Sequence, residues 1–234
     1  MTGDFEAYLG PDGDLAALLK LEDDAGIEKV VLMPLPEIRP DNLGVVASAK
    51  GSDRVIPCAC VNPSFGREAV DELITVVRDH GMKGLKLMPP RHGYVISSQD
   101  CDPFMDAALM LSIPVTIHSG PSPAHPLEIA ALCARHPNVP VIMDHMGHRY
   151  WSDQAIQAAR QCESIHLGTT IAAFEPGLIA RAVREVGAER VVFGSNAPSA
   201  FPDLAVESIK RAKLGDRAEE LILGENLARI YRLK

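Results

Sequence analysis

The chain has 234 residues, of which 47% are hydrophobic and 23% charged, and its formal net charge at pH 7 is -8. This balance is typical of a globular protein and excludes a disordered chain. The negative charge argues against a nucleic-acid surface, because such binding depends on clustered Lys and Arg. No apolar run reaches membrane-spanning length, and the first residues lack the pattern of a signal peptide. We therefore expect a cytoplasmic protein with a small-molecule partner, and the odd count of five cysteines suits a reducing compartment.

Short apolar segments alternate with amphipathic segments along the whole chain, separated by Gly, Pro, Asn or Asp. The pattern predicts strands near residues 3–8, 28–34, 54–60, 83–88, 114–118, 139–144, 164–168 and 190–194. It predicts helices near residues 13–25, 41–50, 66–80, 101–112, 124–136, 151–161, 175–187, 203–213 and 216–232. Eight strands, each followed by a helix, favour a single (β/α)8 TIM-barrel domain over residues 1–234. An open, doubly wound parallel sheet is the alternative, because periodicity does not distinguish the two.

Three of the predicted strands end in a polar side chain. His118 follows the fifth strand, His145 the sixth and Asn196 the eighth. In parallel α/β proteins the carboxyl ends of the strands converge on one site, where ligands bind and catalytic groups project. A single histidine at such a position is more often structural, but two on neighbouring strands favour an enzyme.

Several segments resemble the amidohydrolase 2 family of the amidohydrolase superfamily, which includes aminocarboxymuconate semialdehyde decarboxylase and related metal-dependent hydrolases. Each motif is weak alone, but their order and spacing make the resemblance specific, and it runs nearly end to end. The segments that carry it are Gly26–Val31, Val61–Pro63, Gly84–Leu87, Pro114–Gly120, Asp144–Gly147, Phe193–Pro198 and Ile222–Ile230.

The resemblance implies a distorted barrel with a divalent metal, often zinc, at its mouth. The family's ligands are a His-x-His pair on the first strand, a His on the fifth and an Asp on the eighth. A further His on the sixth strand lies near the reacting group. His118 matches the fifth-strand ligand and His145 the sixth-strand histidine, whereas Glu6, Tyr8 and Asn196 stand at the other three ligand positions.

These replacements predict that the family's metal site is lost or altered. Zinc prefers imidazole, thiolate and carboxylate, while a neutral phenol and a carboxamide oxygen bind it poorly. No cofactor is firmly expected, although a zinc ion held by His118, Glu6 and an outside ligand is an alternative. Without a metal, His145, Glu6 and His118 are the candidate acid and base groups. Asp144 precedes His145 on a predicted strand, so we expect it to face the opposite side and hold structure.

Other cations and aromatic groups near the predicted barrel mouth are candidates for substrate binding. Arg91, Tyr94 and Arg149 lie in loops after the fourth and sixth strands, and an arginine there could clamp a carboxylate. Lys86 stands within an apolar strand, where burying it without a partner would be costly. We predict that it pairs with Glu6 across the barrel. Asn196 completes the predicted substrate-binding set.

The leading hypothesis is a hydrolase or carboxy-lyase that acts on a small carboxylated or lactone-like substrate with little or no metal. A metal-dependent enzyme with reorganised ligands is the second hypothesis. A catalytically silent barrel that binds a ligand or serves in an assembly is the third. The family resemblance also makes a homodimer plausible.

Overall fold

Parallel strands surrounded by helices form the computed structural model, which describes residues 1–9, 13–170 and 175–233. The strands are β1 (Gly3–Tyr8), β2 (Lys29–Met33), β3 (Val55–Pro57), β4 (Ala59–Cys60), β5 (Leu85–Leu87), β6 (Val115–Ile117), β7 (Val141–Met143), β8 (Ile165–Gly168) and β9 (Val191–Val192). Their order is β1-β2-β3 in one sheet and β4-β5-β6-β7-β8-β9 in the other, with every pairing parallel. Among the described residues, β3 and β4 are separated only by Cys58, so they are the two halves of the predicted third strand.

The helices follow the strands as predicted, with two differences. They are α1 (Leu15–Asp24), α2 (Asn42–Ala49), α3 (Arg67–Arg78), α4 (Pro89–His92), α5 (Asp102–Leu111), α6 (Pro126–Arg135), α7 (Ser152–Gln161), α8 (Pro176–Val186), α9 (Pro202–Arg211), α10 (Asp216–Glu220) and α11 (Asn226–Tyr231). The short α4 was not predicted. The predicted last helix is divided by a π-helical turn, Leu221–Glu225, between α10 and α11.

Backbone hydrogen bonds join the first strand, β1, to the segment that follows the last strand, β9. The Phe5 N–H donates to the Phe193 carbonyl at 3.2 Å, and the Asn196 N–H donates to the Glu6 carbonyl at 3.0 Å. Ala7 and Ala197 form a parallel bridge. These contacts join the two edges of the strand array, which agrees with the predicted (β/α)8 barrel and brings Glu6 beside Asn196.

The apolar core has two layers. The larger one lies between strands and helices, and the smaller one fills the barrel interior and includes Leu227, Ile230 and Tyr231 of α11. The Phe5 ring packs so closely against β8 and β9 that a Cβ at Gly168 would lie 2.4 Å from it, and one at Gly194 2.5 Å. The interior is therefore filled below the carboxyl ends of the strands, which leaves that end for a binding site.

Glu22 on α1 is a buried acidic residue, and the nearby charge of Arg54 only partly offsets the effect of burial on its pKa. The side chain is fully buried, and neither carboxylate oxygen has a hydrogen-bond partner in the described part of the chain. Burial, reinforced by the charge of Asp4, raises the pKa of Glu22 to about 9. An acid whose pKa rises on folding contributes stability that is fully present below its unfolded pKa of about 4.3 and is lost progressively as the pH rises from there to the folded pKa.

We therefore predict that Glu22→Gln stabilises the protein above about pH 4.3, where the carboxyl of the unfolded chain ionises. At pH 7 the expected gain in the free energy of unfolding is about 3 kcal/mol, and it should vanish near pH 4, where the carboxyl of the unfolded chain is protonated as well. Urea denaturation across this pH range measures the difference. Asp24→Asn on the exposed face of the same helix is the control, and an equal gain in both variants at every pH would contradict the prediction.

Candidate active site

A cavity of about 380 Å³ opens where the strands end. Its polar lining includes Glu6, Tyr8, His118, His145 and Asn196, which come from four different barrel strands or the loops that follow them. Its apolar lining is Leu9, Leu35, Pro36, Met88 and Pro198, and Ser199 completes the lining. The structure thus brings together the three strand-end residues noted in the sequence and two residues of the first strand, Glu6 and Tyr8.

Lys86 is a buried cation held between two buried carboxylates. Its Nζ atom donates to Glu6 Oε1 at 2.7 Å and to Asp144 Oδ2 at 2.6 Å. All three side chains are buried. The predicted Lys86–Glu6 pair is confirmed, and Asp144 is a second partner that the sequence did not indicate. Because Lys86 is enclosed behind Glu6 rather than lining the cavity, the geometry does not support the substrate contact predicted for it.

The expectation that Asp144 faces away from His145 was wrong. Strand β7 ends at Met143, and His145 and Met146 then adopt left-handed backbone conformations with φ of 59° and 48°. Strand alternation stops at that point, so both Asp144 and His145 project towards the site. Ser119 secures the turn, because its hydroxyl donates to the Asp144 carbonyl and accepts from the Gly147 N–H.

Thr170 connects Asp144 to His145 and was missed in the sequence analysis. Its Oγ1 atom lies 2.5 Å from Asp144 Oδ1 and 2.6 Å from His145 Nδ1, and it accepts the His145 N–H at 3.0 Å. The signal was present, since Thr169 and Thr170 directly follow the seventh barrel strand, β8. A hydroxyl at a strand end is a weaker indication of a functional site than an imidazole, because threonine is common in strands.

The acidic groups of this network have divergent pKa values. Burial and the neighbouring Asp144 charge raise the pKa of Glu6 well above its usual range, despite the opposing effect of Lys86. Burial also acts to raise the pKa of Asp144, but His145 and Lys86 outweigh it and hold that pKa well below its usual range. The two carboxylates likewise outweigh burial at Lys86 and raise its pKa. The shifts therefore favour an ammonium at Lys86, a carboxylate at Asp144 and, relative to an exposed glutamate, the protonated form of Glu6.

The donors that reach Glu6 both contact one of its oxygens, and the Asp144 carboxylate lies within hydrogen-bond reach of the same side chain. Tyr8 Oη donates to Glu6 Oε1 at 2.5 Å, and Lys86 donates to the same oxygen. The Oε2 atom is buried and has no partner among the described residues. Because Oε1 already accepts two hydrogen bonds, a proton on the Glu6 carboxyl would lie on Oε2.

The two histidines are neutral at physiological pH. Their rings meet edge to face, with centroids 4.7 Å apart. Burial lowers the pKa of His118 to about 4 and that of His145 to about 3, despite the attraction of Asp144. The cavity therefore presents uncharged imidazoles rather than cations.

Asn196 stands where the family resemblance places an aspartate. Its backbone has a φ of 64°, a left-handed conformation that asparagine tolerates better than most residues. Its side chain lines the cavity and carries amide donors as well as a carbonyl acceptor. The replacement exchanges a negative metal ligand for a neutral group that can bind a substrate oxygen.

Three side chains are close enough together to bind a metal ion, but the hydrogen bonds and ion pairs that they already make do not favour metal binding. Ligand atoms of His118, Asp144 and His145 all lie within 4.8 Å of one another. However, Asp144 Oδ2 already contacts the Lys86 ammonium, and Asp144 Oδ1 contacts Thr170. A divalent ion bound to Asp144 would meet a fixed positive charge in a buried setting, where repulsion is strong. The donor set therefore does not fit a divalent metal while Lys86 is charged.

Besides Lys86, three further residues predicted to bind substrate lie outside the cavity lining. Arg91 is on the exposed side of α4, which begins at Pro89 and is separated from the end of β5 by one residue. Gly93, with a φ of 73°, then turns the chain so that Tyr94 lines a separate groove of about 990 Å³ at α3 and α5. Arg149 is largely exposed and pairs with Glu175 at 2.7 Å. The geometry lends no support to the substrate roles predicted for these residues.

The chain belongs to the amidohydrolase family, whose model matches residues 6–233. No curated protein matches it significantly. No helix in the described ranges is long and apolar enough to cross a membrane.

Solved structures share its fold at low sequence identity. An uncharacterised TIM-barrel protein of Bordetella bronchiseptica has a TM-score of 0.84 and 20% identity, over 94% of this chain and 83% of that one. A 2,6-dihydroxybenzoate decarboxylase from Rhizobium has a TM-score of 0.79 and 19% identity, over 100% and 99% of the two chains. A dihydroxybenzoic acid decarboxylase of Polaromonas, with bound manganese and the inhibitor 2-nitroresorcinol, has a TM-score of 0.75 and 17% identity, over 99% and 97%.

Proposed function

We propose that this protein decarboxylates a small carboxylated substrate in the 380 Å³ cavity, with Glu6 as proton donor and without a divalent metal. The observation that carries the proposal is the buried Lys86 ammonium, which bridges Glu6 and Asp144. Its fixed positive charge lies beside the potential metal ligands His118, Asp144 and His145 and opposes the binding of a cation there. Family membership and the decarboxylases with the same fold support this class of reaction.

We assign Glu6 as the acid because burial and the Asp144 charge raise its pKa, and because its Oε2 atom has no hydrogen-bond donor among the described residues. In decarboxylation the carbon–carboxylate bond breaks, carbon dioxide leaves, and the remaining electron pair takes a proton. Glu6 Oε2 supplies that proton and is reprotonated from solvent after product release. A carboxylic acid with a raised pKa is suited to this task at neutral pH.

The remaining cavity residues orient the substrate. Asn196 offers amide hydrogens to a carboxylate oxygen, and the neutral His118 and His145 offer ring nitrogens that accept hydrogen bonds. The apolar lining, including Leu35 and Met88, suits a flat carbon skeleton. Such a mixture of apolar walls and a few polar groups is typical of small-molecule sites.

Decarboxylation is favoured over hydrolysis by the strength of the available bases. Hydrolysis of a lactone-like substrate requires a group that removes a proton from water. Imidazoles with pKa values of about 4 and about 3 are weak bases, and the other acidic groups are either protonated or ion-paired. Decarboxylation needs a proton donor, which Glu6 provides, and no activated water.

The test is turnover of carboxylated probes after metal removal. Purified protein is treated with EDTA, its metal content is measured by elemental mass spectrometry, and carbon dioxide release is followed with 2,6-dihydroxybenzoate and related hydroxybenzoates. We expect less than stoichiometric metal and the same turnover before and after chelation. Turnover that is lost on chelation and restored by manganese would contradict the proposal and favour reorganised metal ligands.

One observation favours a second candidate function, a silent barrel that only binds a ligand. Glu6, Tyr8 and Asn196 replace three of the family's ligands, as relaxed selection could allow. The two candidates differ in one result. A probe that raises the melting temperature without being consumed would support the silent barrel, because binding to the native state alone stabilises it.

A further inference from the structure

The hydroxyl oxygen of Thr170 has three polar neighbours, and the residue is buried, with 1% of its surface exposed. Asp144 Oδ1 is 2.5 Å away, His145 Nδ1 is 2.6 Å away, and the His145 backbone N–H donates from 3.0 Å. A hydroxyl has one proton to donate and two lone pairs that accept. The contacts therefore use its full hydrogen-bonding capacity.

Counting protons fixes the tautomer of His145. Ionised Asp144 can only accept, so the Thr170 hydroxyl must donate its single proton to Asp144 Oδ1. The hydroxyl oxygen is then left to accept from both His145 groups, which requires a proton on Nδ1. Asp144 Oδ1, 3.1 Å from the same Nδ1, is a second and longer acceptor. In a neutral ring the proton on Nδ1 leaves Nε2 with a free lone pair.

We propose that Thr170 is a positioning residue that holds His145 as the Nδ1–H tautomer, so that Nε2 is the hydrogen-bond acceptor presented to the substrate. This role rests on the proposed function for its catalytic consequence, but the tautomer itself is a property of the resting protein. The hydroxyl also anchors the left-handed backbone of His145 through its N–H. One side chain thus sets both the ring orientation and the ring protonation pattern.

The rest of the site agrees with this assignment. His145 lines the cavity, and its ring also contacts His118 and His148, with centroids 4.7 Å and 5.7 Å away. Both rings meet it edge to face. With Nδ1 engaged by Thr170, Nε2 is the ring nitrogen that can serve a bound molecule.

The experiment measures the tautomer directly, by long-range proton–nitrogen NMR spectra of the full chain labelled with 15N-histidine, at neutral pH without ligand. We expect the His145 signal to show a protonated Nδ1 and an unprotonated Nε2. Thr170→Ser retains the hydroxyl and should keep both the tautomer and the turnover. Thr170→Val has nearly the same shape without the hydroxyl. It leaves Nδ1–H only the longer contact to Asp144 Oδ1, and should therefore give a mixture of tautomers and a kcat lower by about 10-fold with little change in KM.

The outcomes separate this inference from the proposed function. An Nε2–H tautomer in the unmodified protein would overturn it, and so would a Thr170→Val variant with unchanged tautomer and kcat. If Thr170→Val does not fold, the spectra of the unmodified protein and of Thr170→Ser still decide the assignment. The expected tautomer in a protein that turns over no probe would support the role of Thr170 in positioning His145 and count against the proposed decarboxylation.

Discussion

Lys86→Met is expected to destabilise the fold by about 3–5 kcal/mol, because it leaves buried carboxyl groups without their cation. Lys86 is the shared partner of Glu6 and Asp144, and all three side chains are buried. Methionine matches the length of the lysine stem but carries no charge. Urea denaturation at pH 7 measures the loss. Lys83→Met, on the exposed residue just before the same strand, is the control and should change stability by less than about 0.5 kcal/mol.

The same variant should acquire a response to divalent cations. Removing the ammonium frees Asp144 Oδ2 beside His118 and His145, whose ligand atoms have a metal-compatible spacing. We expect manganese or zinc to raise the melting temperature of Lys86→Met and to leave that of the unmodified protein unchanged, because only the variant lacks the competing charge. An equal response in both proteins would show that Lys86 does not exclude the ion.

The general architecture could be predicted from the sequence because each strand is a short apolar run bounded by Gly, Pro, Asn or Asp. Such runs predicted the eight barrel strands and placed His118, His145 and Asn196 at the carboxyl ends of three of them. The Lys86–Glu6 pair was also predictable, since an unpaired lysine within a buried strand costs too much free energy. These inferences depend on local pattern and on desolvation, which a single sequence contains.

The second carboxylate and the threonine depend instead on backbone geometry. Alternation along a strand places Asp144 and His145 on opposite faces, and only the left-handed turn after Met143 brings them together. Thr170 lies 25 residues from His145 along the chain, and no sequence pattern indicates that their side chains are in contact. Tyr94 was misplaced for a similar reason, because the left-handed Gly93 directs the chain to the outer groove.

Glu6→Gln is expected to abolish most of the proposed activity while preserving the fold. Glutamine keeps a carbonyl oxygen for the Tyr8 and Lys86 hydrogen bonds, and Lys86 remains paired with Asp144. It cannot donate a transferable proton, and loss of a positioned general acid typically costs about 10²- to 10⁴-fold in rate. We expect kcat for a decarboxylated probe to fall by that factor, with a melting temperature close to that of the unmodified protein.

The pH dependence of the rate tests whether Glu6 is the acid. Because burial raises its pKa, the carboxyl is protonated and competent at low and neutral pH, and activity should fall as the pH rises through that value. The residual rate of Glu6→Gln should lack this alkaline fall, because its amide does not titrate. Glu37→Gln, at an exposed carboxylate beside the cavity residue Pro36, should retain both the rate and the profile. An alkaline fall that persists in Glu6→Gln would assign the titrating proton to another group and remove Glu6 from the mechanism.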